Sequence, residues 1–512
     1  MRRYPAYRDS GVEWLGEVPE GWDVKRLRFI VRLNPSKTEI ASWDRETEVT
    51  FLPMEAVGED GTINTDQTRP LAEVETGYTY LREGDVAFAK ITPCFENGKR
   101  ARMQGLAHGI AFGTTELTVL RPRLDVTTPD FVFWLISSSS FRRIGEAHMY
   151  GAGGQKRVPD DFARDFPVPL PPLPEQTAIA AFLDRETAKI DALVAEQRRL
   201  IALLAEKRQA VISHAVTRGL DPATPLKPSG IDWLGDVPEG WEVVRLRRII
   251  ERIEQGFSPA CFAYPASVGE WGVLKSGCVN LGTYRDEENK ALPPEVDPRP
   301  DLEVRIGDIL MSRASGSPEL IGSVGVVSET QGRIMLSDKI FRLILRETVD
   351  PNFFARAMGS VPMRSQIVNA ISGGEGMANN LPQGEIKDFW FALPPYSEQV
   401  EIAEDVTNTV GALDSLITTA ESAISLLQER RAALISAAVT GKIDVRDAAP
   451  VTARPPSRDE IRDAVGACII HRLWQKPTFG RVKHQKLLFL AEFEAGVTEI
   501  DGRYDREAAG PL

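Results

Sequence analysis

The residue types that most often bind metals or act as nucleophiles are few and scattered in this 512-residue sequence. The four cysteines include no CxxC pair, and the five histidines include no HxxxH pair. This spacing argues against a zinc site and against a disulfide framework. The sequence also lacks the GxxxxGK[ST] loop that cradles nucleotide phosphates. We therefore expect no metal, no cofactor and no catalytic residue in this chain.

One proline-rich segment has the spacing of a catalytic loop without its chemistry. Leu393-Pro394-Pro395-Tyr396 is similar to the (Asp/Asn/Ser)-Pro-Pro-Tyr loop of amino-methyltransferases. The first polar side chain of that loop accepts a hydrogen bond from the target amino group, and a leucine side chain has no acceptor atom. We interpret the segment as the lead-in to a helix and assign no methylation to this chain.

Several basic and amide side chains could instead contact nucleic acid, because Lys and Arg neutralise phosphates and Arg, Asn and Gln read base edges. Two of them, Lys90 and Arg313, each follow a Gly-Asp turn and an apolar strand, although a solvated surface role is equally compatible with that position. The candidate DNA-binding residues are Lys90, Lys99, Arg100, Arg102, Gln155, Lys156, Arg157, Arg313, Asn379 and Asn380.

Glycines flank some of these candidates. Residues 155–157 lie beside a Gly-Ala-Gly-Gly cluster, which would let the backbone approach a phosphate closely. The corresponding second-half loop offers Asn379 and Asn380, although asparagine is also a common turn residue. The chain as a whole is acidic, with 61 Lys+Arg, 73 Asp+Glu and a formal net charge of −12. Since DNA-binding proteins are usually basic, this acidic total is unusual for a chain that binds DNA.

These candidates are carried by a chain that repeats itself. Residues 10–30 and 229–249 are identical at 15 of 21 positions, and residues 170–221 correspond to 393–444. The segments between these blocks, 31–169 and 250–392, align poorly. Both copies keep a tryptophan pair, Trp14/Trp22 and Trp233/Trp241, which we expect to anchor the constant frame rather than to stack on bases.

The repeated blocks at 170–221 and 393–444 are predicted to form long helices. Apolar residues recur in them with a 3.5-residue period, which is typical of a coiled-coil seam. Two matching rods are most simply packed on each other in antiparallel fashion, although each could be buried in its own domain. The predicted spacer seam comprises Ile179, Leu183, Ile190, Leu193, Leu200, Leu204, Ile402, Val406, Leu413, Leu416, Leu427 and Leu434.

The sequence therefore predicts a mixed α/β fold, with two pseudo-repeated α/β domains joined by two long helices in an antiparallel coiled coil. The predicted segments are α/β domain 1 (1–169, with frame 1–30), the central helix (170–221), α/β domain 2 (222–392, with frame 229–249), the C-terminal helix (393–446), a linker (447–457) and a helical extension (458–512). No uninterrupted apolar run reaches the ~18–20 residues of a membrane span. We expect a cytoplasmic protein without a membrane segment.

The sequence resembles the specificity (S) subunit of type I restriction–modification systems. The resemblance covers about residues 1–446 and rests on several blocks that occur twice in fixed order. These blocks are the stretch from Tyr7 to Pro19 with Trp22, the LPPLPEQ and LPPYSEQ segments, and the helices that end in AVTRG and AVTGK.

The resemblance implies that each divergent segment reads one half of a bipartite double-stranded DNA site. It also implies that the helices set the half-site spacing and dock two methyltransferase (M) subunits. S-adenosylmethionine, ATP and Mg would then belong to the M and restriction (R) subunits, which carry out adenine methylation and cleavage. The alternative is a coiled-coil scaffold that presents two protein-interaction domains without DNA.

The C-terminal extension departs from the simplest members of this family. Residues 480–492 and 508–511 resemble the start of a SocA-like antitoxin-associated domain, of which only a part would be present. A helical appendage that packs on the body or on a partner is the alternative interpretation.

Overall fold

A computed structural model of the chain describes residues 2–152, 154–372 and 379–446. The chain divides into two compact units. Unit 1 runs to Glu186 and resumes at Ala432, and unit 2 comprises Thr187–Arg431. Both boundaries fall inside long helices. The predicted linker 447–457, the extension 458–512, Gly153 and the glycine cluster at 373–376 lie outside the described residues.

Unit 1 contains twelve described strands, four short helices and the first part of a long helix. Its helices are α1 (Leu71–Val74), α2 (Pro129–Ile136), α3 (Ser139–Ala147), α4 (Asp160–Asp165) and α5 (Leu173–Arg218), the last of which continues into unit 2. Its strands are β1 (Tyr7–Asp9), β2 (Glu17–Pro19), β3 (Asp23–Arg26), β4 (Val31–Leu33), β5 (Glu48–Leu52), β6 (Thr68–Pro70), β7 (Thr79–Arg82), β8 (Val86–Ala89), β9 (Arg100–Arg102), β10 (Ile110–Gly113), β11 (Leu117–Pro122) and β12 (Pro167–Leu170).

Two four-stranded sheets form the body of unit 1, in the orders β6-β5-β10-β7 and β4-β11-β8-β9. Strand pairs β1-β2 and β3-β12 complete it. Strands β8 and β11 are buried along their whole length, and helix α2 buries six consecutive residues from Phe131 to Ile136. The mixed α/β class predicted from sequence is therefore confirmed for this unit.

Unit 2 is also mixed α/β. Its helices are α6 (Pro351–Met358), α7 (Val361–Ala370), α8 (Gln383–Asp388) and α9 (Tyr396–Val439), the last of which continues into unit 1. Its strands are β13 (Leu226–Pro228), β14 (Asp236–Pro238), β15 (Glu242–Arg245), β16 (Ile250–Gln255), β17 (Gly272–Leu274), β18 (Asn289–Ala291), β19 (Ile309–Ser312), β20 (Ala314–Ser315), β21 (Val324–Val326), β22 (Ile334–Met335), β23 (Ile340–Leu345), β24 (Asn379–Asn380) and β25 (Trp390–Leu393).

The sheets of unit 2 have the orders β16-β23-β19-β21 and β18-β17-β22, with the pairs β13-β14, β15-β25 and β20-β24. Short 3₁₀ helices link the strands of both units, at Leu27–Phe29, Thr38–Ile40, Met54–Ala56, Ala107–Gly109, Leu246–Arg248, Ser276–Gly282, Pro300–Leu302 and Pro318–Leu320.

The start of each long helix is held by a buried glutamine. The Gln176 Oε1 atom accepts hydrogen bonds from the Thr127 hydroxyl (2.8 Å) and the Thr128 amide (3.1 Å), just before helix α2. In unit 2 the Gln399 Oε1 atom accepts a hydrogen bond from the Asp350 amide at 2.8 Å, just before helix α6. Since a buried amide must be satisfied by hydrogen bonds, these contacts account for the glutamine at the end of both the LPPLPEQ and the LPPYSEQ segment.

The ends of the long helices depend on glycine and on the repeated frame. Gly219 and Gly441 have positive φ values of 77° and 73°, which suit a helix C′ position. A Cβ atom at Gly441 would lie 2.4 Å from the Pro19 Cδ atom, so no larger residue fits there. Trp22 and Trp241 are 2% and 1% exposed and Trp14 is half-buried, which fits the predicted anchoring role, whereas Trp233 is 42% exposed.

The predicted helix seam differs from the observed burial at three positions. Leu193, Leu200 and Leu416 are 51%, 42% and 46% exposed. The buried side of α5 steps by four residues from Ile190 to Val194, whereas the prediction stepped by three to the nearest leucine. A helix turn holds about 3.6 residues, so one wrong step rotates a side chain out of the buried face.

The remaining predicted seam positions face inward. The buried ones are Ile179, Leu183, Ile190, Leu204, Ile402, Val406 and Leu413, and the half-buried ones are Leu427 and Leu434.

Within unit 2, two ion pairs join α5 to α9. The Asp191 carboxylate accepts two hydrogen bonds from Arg431, at 2.8 and 3.2 Å. The Arg208 Nε atom donates to the Asp414 carboxylate at 3.1 Å. From the first ion pair to the second, the residue number rises from 191 to 208 in α5 and falls from 431 to 414 in α9.

Candidate nucleic-acid interface

In unit 1, four of the predicted DNA-binding residues lie together at the end of strand β8. The Lys90 carbonyl accepts a hydrogen bond from the Val158 amide at 2.8 Å, and the Thr92 amide donates to the Lys156 carbonyl at 2.9 Å. These bonds tie the 150–158 loop to the strand end. Gln155 and Lys156 are exposed there, while Lys90 and Arg157 are half-buried.

An ion pair holds the arginine of this group in place. The Arg157 Nε and Nη2 atoms lie 2.9 and 2.8 Å from the two oxygens of Glu116. The hydrogen bonds from Arg157 lower the pKa of the Glu116 carboxyl, against the opposing effect of its partial burial, and the nearby Lys90 charge acts in the same direction as Arg157. The pairing leaves Gln155 and Lys156 as the side chains of this loop that are best placed to meet a ligand.

The other three candidates of unit 1 are bound within the unit. The Lys99 Nζ atom donates to the Met54 carbonyl at 3.0 Å. Arg100 is 7% exposed and donates to the Ser137 hydroxyl and to the carbonyls of Glu59 and Gly98. Its position on β9, beside helix α2, turns the guanidinium toward the protein interior.

Arg102 bridges two carboxylates. Its Nη1 atom lies 2.6 Å from Asp130 and its Nη2 atom 3.0 Å from Asp184. Burial lowers the pKa of this guanidinium, but the hydrogen bonds to the two carboxylates outweigh that effect, so that the pKa is raised overall. The geometry of Arg100 and Arg102 is that of structural residues rather than of side chains available to a phosphate.

In unit 2, Arg313, Asn379 and Asn380 lie side by side. Strand β20 pairs with β24 so that Ser315 faces Asn379 and Ala314 faces Asn380. The Arg313 carbonyl accepts a hydrogen bond from the Leu381 amide at 2.9 Å, as the Lys90 carbonyl accepts one from Val158 in unit 1. The Arg313 Nη1 atom donates to the Asp338 carbonyl at 3.1 Å.

The Gly-Asp turns that precede these strands have a structural role which the sequence did not reveal. Asp85 is buried and binds Arg121 of β11 through both carboxylate oxygens, at 2.7 and 2.9 Å. In unit 2 an Asp308 oxygen lies 2.9 Å from the Arg342 Nε atom of β23. Asp85 therefore neutralises an arginine of β11, which pairs with the strand that precedes Lys90. Asp308 neutralises an arginine of β23, which pairs with the strand that precedes Arg313.

Three lysines around a cavity in unit 2 were not among the predicted residues. Lys275, Lys290 and Lys339 line a cavity of about 440 Å³ next to the Arg313–Asp338 contact. They are spread over 65 residues of sequence, and no local pattern marks them as a group.

Comparisons with known proteins identify the family. No family model matches the chain. The EcoEI type I restriction enzyme specificity subunit of Escherichia coli is 30% identical over 498 residues, covering 82% of this chain and 83% of the relative. The chain belongs to the type I restriction enzyme specificity subunit family. The EcoAI specificity subunit of Escherichia coli is 42% identical over 165 residues, which are 32% of this chain and 27% of that relative.

The fold is similar to that of a solved structure. A chain from a structural study of assembly and conformational transition of the type I R-M system has a TM-score of 0.61 at 18% identity. The match covers 83% of this chain and 99% of that one. At this identity the similarity supports the fold alone.

One helix of this specificity subunit family member is apolar enough to be compared with a membrane span. Among the described residues, α9 alone passes that test by length and composition. One such helix is weak support for a span, since the test considers length and composition only; 17% of its apolar window is buried. The sequence expectation of no membrane segment considered only uninterrupted apolar runs, and α9 mixes its apolar residues with polar ones.

Within the described ranges, no group of three or more His, Cys, Asp and Glu side chains could hold a metal ion. The candidate interface residues described above are lysine, arginine and amide side chains, which suit an anionic ligand.

Proposed function

We propose that this chain is the DNA sequence-specificity subunit of a type I restriction–modification complex. Each unit would read one half of a bipartite DNA site, and the assembled complex would methylate adenine N6 and restrict unmodified DNA. The observation that carries the proposal is the family membership. The relative that shows it is the specificity subunit of a type I restriction enzyme, and the match covers most of the length of both chains.

The side chains at the ends of β8 and β19 suit sequence reading. Each unit presents a basic residue after the strand, Lys90 or Arg313, beside a loop that offers amide side chains. Amides and guanidinium groups can form paired hydrogen bonds with base edges in the major groove. The loops differ between the units, as two different half-sites would require.

The long helices are proposed to form an antiparallel coiled-coil spacer that docks two M subunits. The Asp191–Arg431 and Arg208–Asp414 pairs support an antiparallel register, since the residue numbers of both pairs sum to 622. The exposed leucines Leu193, Leu200 and Leu416 offer apolar surface for partner subunits.

The chemistry would belong to those partners. S-adenosylmethionine for methyl transfer, and ATP and Mg for restriction, are assigned to the M and R subunits, and no catalytic residue is assigned to this chain. The M subunits would flip the target adenine out of the duplex, as base-modifying enzymes must. We expect the complex in the cytoplasm.

Methylome sequencing tests the proposal. Cells that express this chain with its neighbouring M subunit are compared with cells that express the M subunit alone. A split motif with methyladenine in both halves, present only with this chain, is the expected result. A stable complex that produces no new methylation contradicts the specificity role.

The alternative, a scaffold that presents two protein-interaction domains, makes a different prediction about salt. Phosphate neutralisation makes DNA affinity fall steeply with salt concentration. A complex that shows no salt-dependent DNA binding would favour the scaffold.

A further inference from the structure

A basic cavity in unit 2 lies outside the residues so far assigned to DNA. It has a volume of about 440 Å³, which is large enough for a phosphodiester with part of its sugar. Lys290 and Lys339 are exposed and stand at its rim, and Lys275 is half-buried. Its lining includes Lys275, Lys290, Lys339, Ser258, Ser337 and Asp338.

The charges around the cavity do not balance. Asp338 lies 3.5 Å from Lys339, and its other oxygen accepts a hydrogen bond from the Ser258 hydroxyl at 2.5 Å. Lys275 approaches Glu288 only to 3.8 Å. The three ammonium groups are therefore accompanied by two carboxylates, Asp338 of the lining and Glu288 beside Lys275, which leaves one positive charge in excess, in a chain whose total charge is −12. Such a local excess of positive charge favours an anion.

A buried hydroxyl adds a hydrogen-bond donor. Ser337 is 2% exposed, lines the cavity, and its Oγ atom has no hydrogen-bond partner among the described residues. Leaving a buried polar atom unsatisfied costs roughly 1–3 kcal/mol, so such atoms usually meet a ligand or water. A phosphate oxygen would satisfy the hydroxyl and the lysines together.

The cavity is continuous with the candidate base-reading residues. Asp338 and Lys339 belong to its lining, and their carbonyls accept hydrogen bonds from the Arg313 side chain (3.1 Å) and the Arg313 amide (2.8 Å). Next to the lining residue Cys261, Phe262 and Tyr264 are exposed and stack with ring centroids 5.2 Å apart. Ring faces at this rim can pack on a deoxyribose.

We propose that Lys275, Lys290, Lys339 and Ser337 form a binding site for a backbone phosphate of the DNA half-site read by unit 2. The site holds the duplex in register while Arg313, Asn379 and Asn380 face the bases. Contacts to phosphate fix orientation and carry no sequence information of their own. This inference rests on the proposed function.

The test uses the complex of the full chain with its M subunit and a duplex that contains the motif found by methylome sequencing. Binding is measured by fluorescence anisotropy over a range of salt concentrations. The variant is Lys290→Ala with Lys339→Ala. Lys227→Ala on β13, which does not line the cavity, is the matched control, and Lys290→Arg with Lys339→Arg keeps both charges.

The double alanine variant should reduce the slope of log affinity against log salt by about 1, the value for one neutralised phosphate. At about 0.15 M salt this corresponds to an affinity loss on the order of fivefold. The loss should be equal for the motif and for an unrelated duplex, because a phosphate contact does not discriminate bases. The control and the arginine variant should keep the slope of the unaltered complex.

A second measurement identifies the source of the phosphate. Lysine acetylation followed by mass spectrometry is performed with the duplex and, separately, with inorganic phosphate. Protection of Lys275, Lys290 and Lys339 by the duplex supports the proposal. Protection by inorganic phosphate alone, with an unchanged slope in the alanine variant, overturns it in favour of a free-anion site.

The remaining outcomes separate this inference from the proposed function. If the unaltered complex binds its motif and the alanine variant has the same slope and affinity, the phosphate site is excluded and the specificity role stands. If the unaltered complex binds no DNA, both fail.

Discussion

Two carboxylate–arginine pairs hold corresponding strands in the two units. Asp85 and Arg121 have side chains that are 1% and 10% exposed, and a Glu39 oxygen lies 2.6 Å from the same guanidinium. Asp308 and Arg342 are 17% and 9% exposed. The formation of such a buried ion pair contributes little to the free energy of unfolding. The removal of one partner is costly, because it leaves the other charge buried without a counter-charge.

The exchange Asp85→Asn should destabilise unit 1 by about 3 kcal/mol, since Arg121 keeps only Glu39 as a carboxylate partner. The matched exchange Asp308→Asn should cost less, because Asp308 is more exposed. Denaturant-dependent hydrogen exchange, followed by mass spectrometry of peptides from β8 and β19, measures both effects separately. Equal protection of β8 in the variant and the unaltered chain would contradict this prediction.

The Glu116–Arg157 pair predicts a pH dependence. Because the pKa of Glu116 is lowered in the folded chain, its ionised form stabilises unit 1 at pH values above the ordinary pKa of 4.5. This contribution is lost as the pH falls through the lowered folded pKa. Glu116 is 24% and Arg157 40% exposed, so solvent screening keeps the contribution of this pair small.

Urea unfolding of the chain and of the Glu116→Gln variant measures this contribution. The variant should be less stable near pH 7, and the difference should shrink as the solution is made acidic. Glu46→Gln, on an exposed turn, is the control. A difference that is constant with pH would show that the pair is not the cause.

At the scale of elements, the register between α5 and α9 bears on the proposed spacing of the two half-sites. The ion pairs of Asp191 with Arg431 and Arg208 with Asp414 enclose a helix segment of matched length on both sides. An insertion that respects the seven-residue period keeps the buried faces aligned. An insertion in one helix alone shifts one of the two pairs out of register.

Seven residues inserted after Leu200 and after Glu421 should lengthen the spacer by roughly 10 Å, given a rise of about 1.5 Å per residue. If the helices set the half-site distance, as proposed, the gap in the methylated motif should grow by about three base pairs at ~3.4 Å each. Methylome sequencing reads the gap directly. The single-helix insertion should abolish modification, and an unchanged gap in the double insertion would exclude the spacer role.

At the scale of the whole molecule, the acidic charge implies dependence on partners. The net charge of −12 opposes association with DNA, while the basic groups are confined to local patches. The isolated chain should therefore bind the motif at least tenfold more weakly than the complex with M subunits, measured by anisotropy at one salt concentration. Equal affinities would contradict this prediction.

The divided organisation predicts modular specificity. Replacement of residues 31–169 by the corresponding segment of a family member with another target should change one half of the methylated motif and leave the other half intact. The frame residues 10–30 and the long helices are retained in the exchange, so complex formation serves as the control for folding. A change in both halves would refute the assignment of one half-site to each unit.

The sequence by itself determined the features that depend on local pattern. The repeated frame, the two long helices, their terminal glycines and the family resemblance follow from residue identity and period over short stretches. Hydrophobic period specifies a helix and most of its buried face. The mixed α/β class followed from the alternation of such stretches with short apolar strands.

The tertiary structure alone decided which basic residues are available to a ligand. Arg100 and Lys156 look alike in sequence, but strand pairing of β9 with β8 buries the first, while the loop beside Thr92 exposes the second. The lysines of the unit 2 cavity come together from three distant strands and turns. Such placement depends on the register between segments far apart in the chain, which local period does not encode.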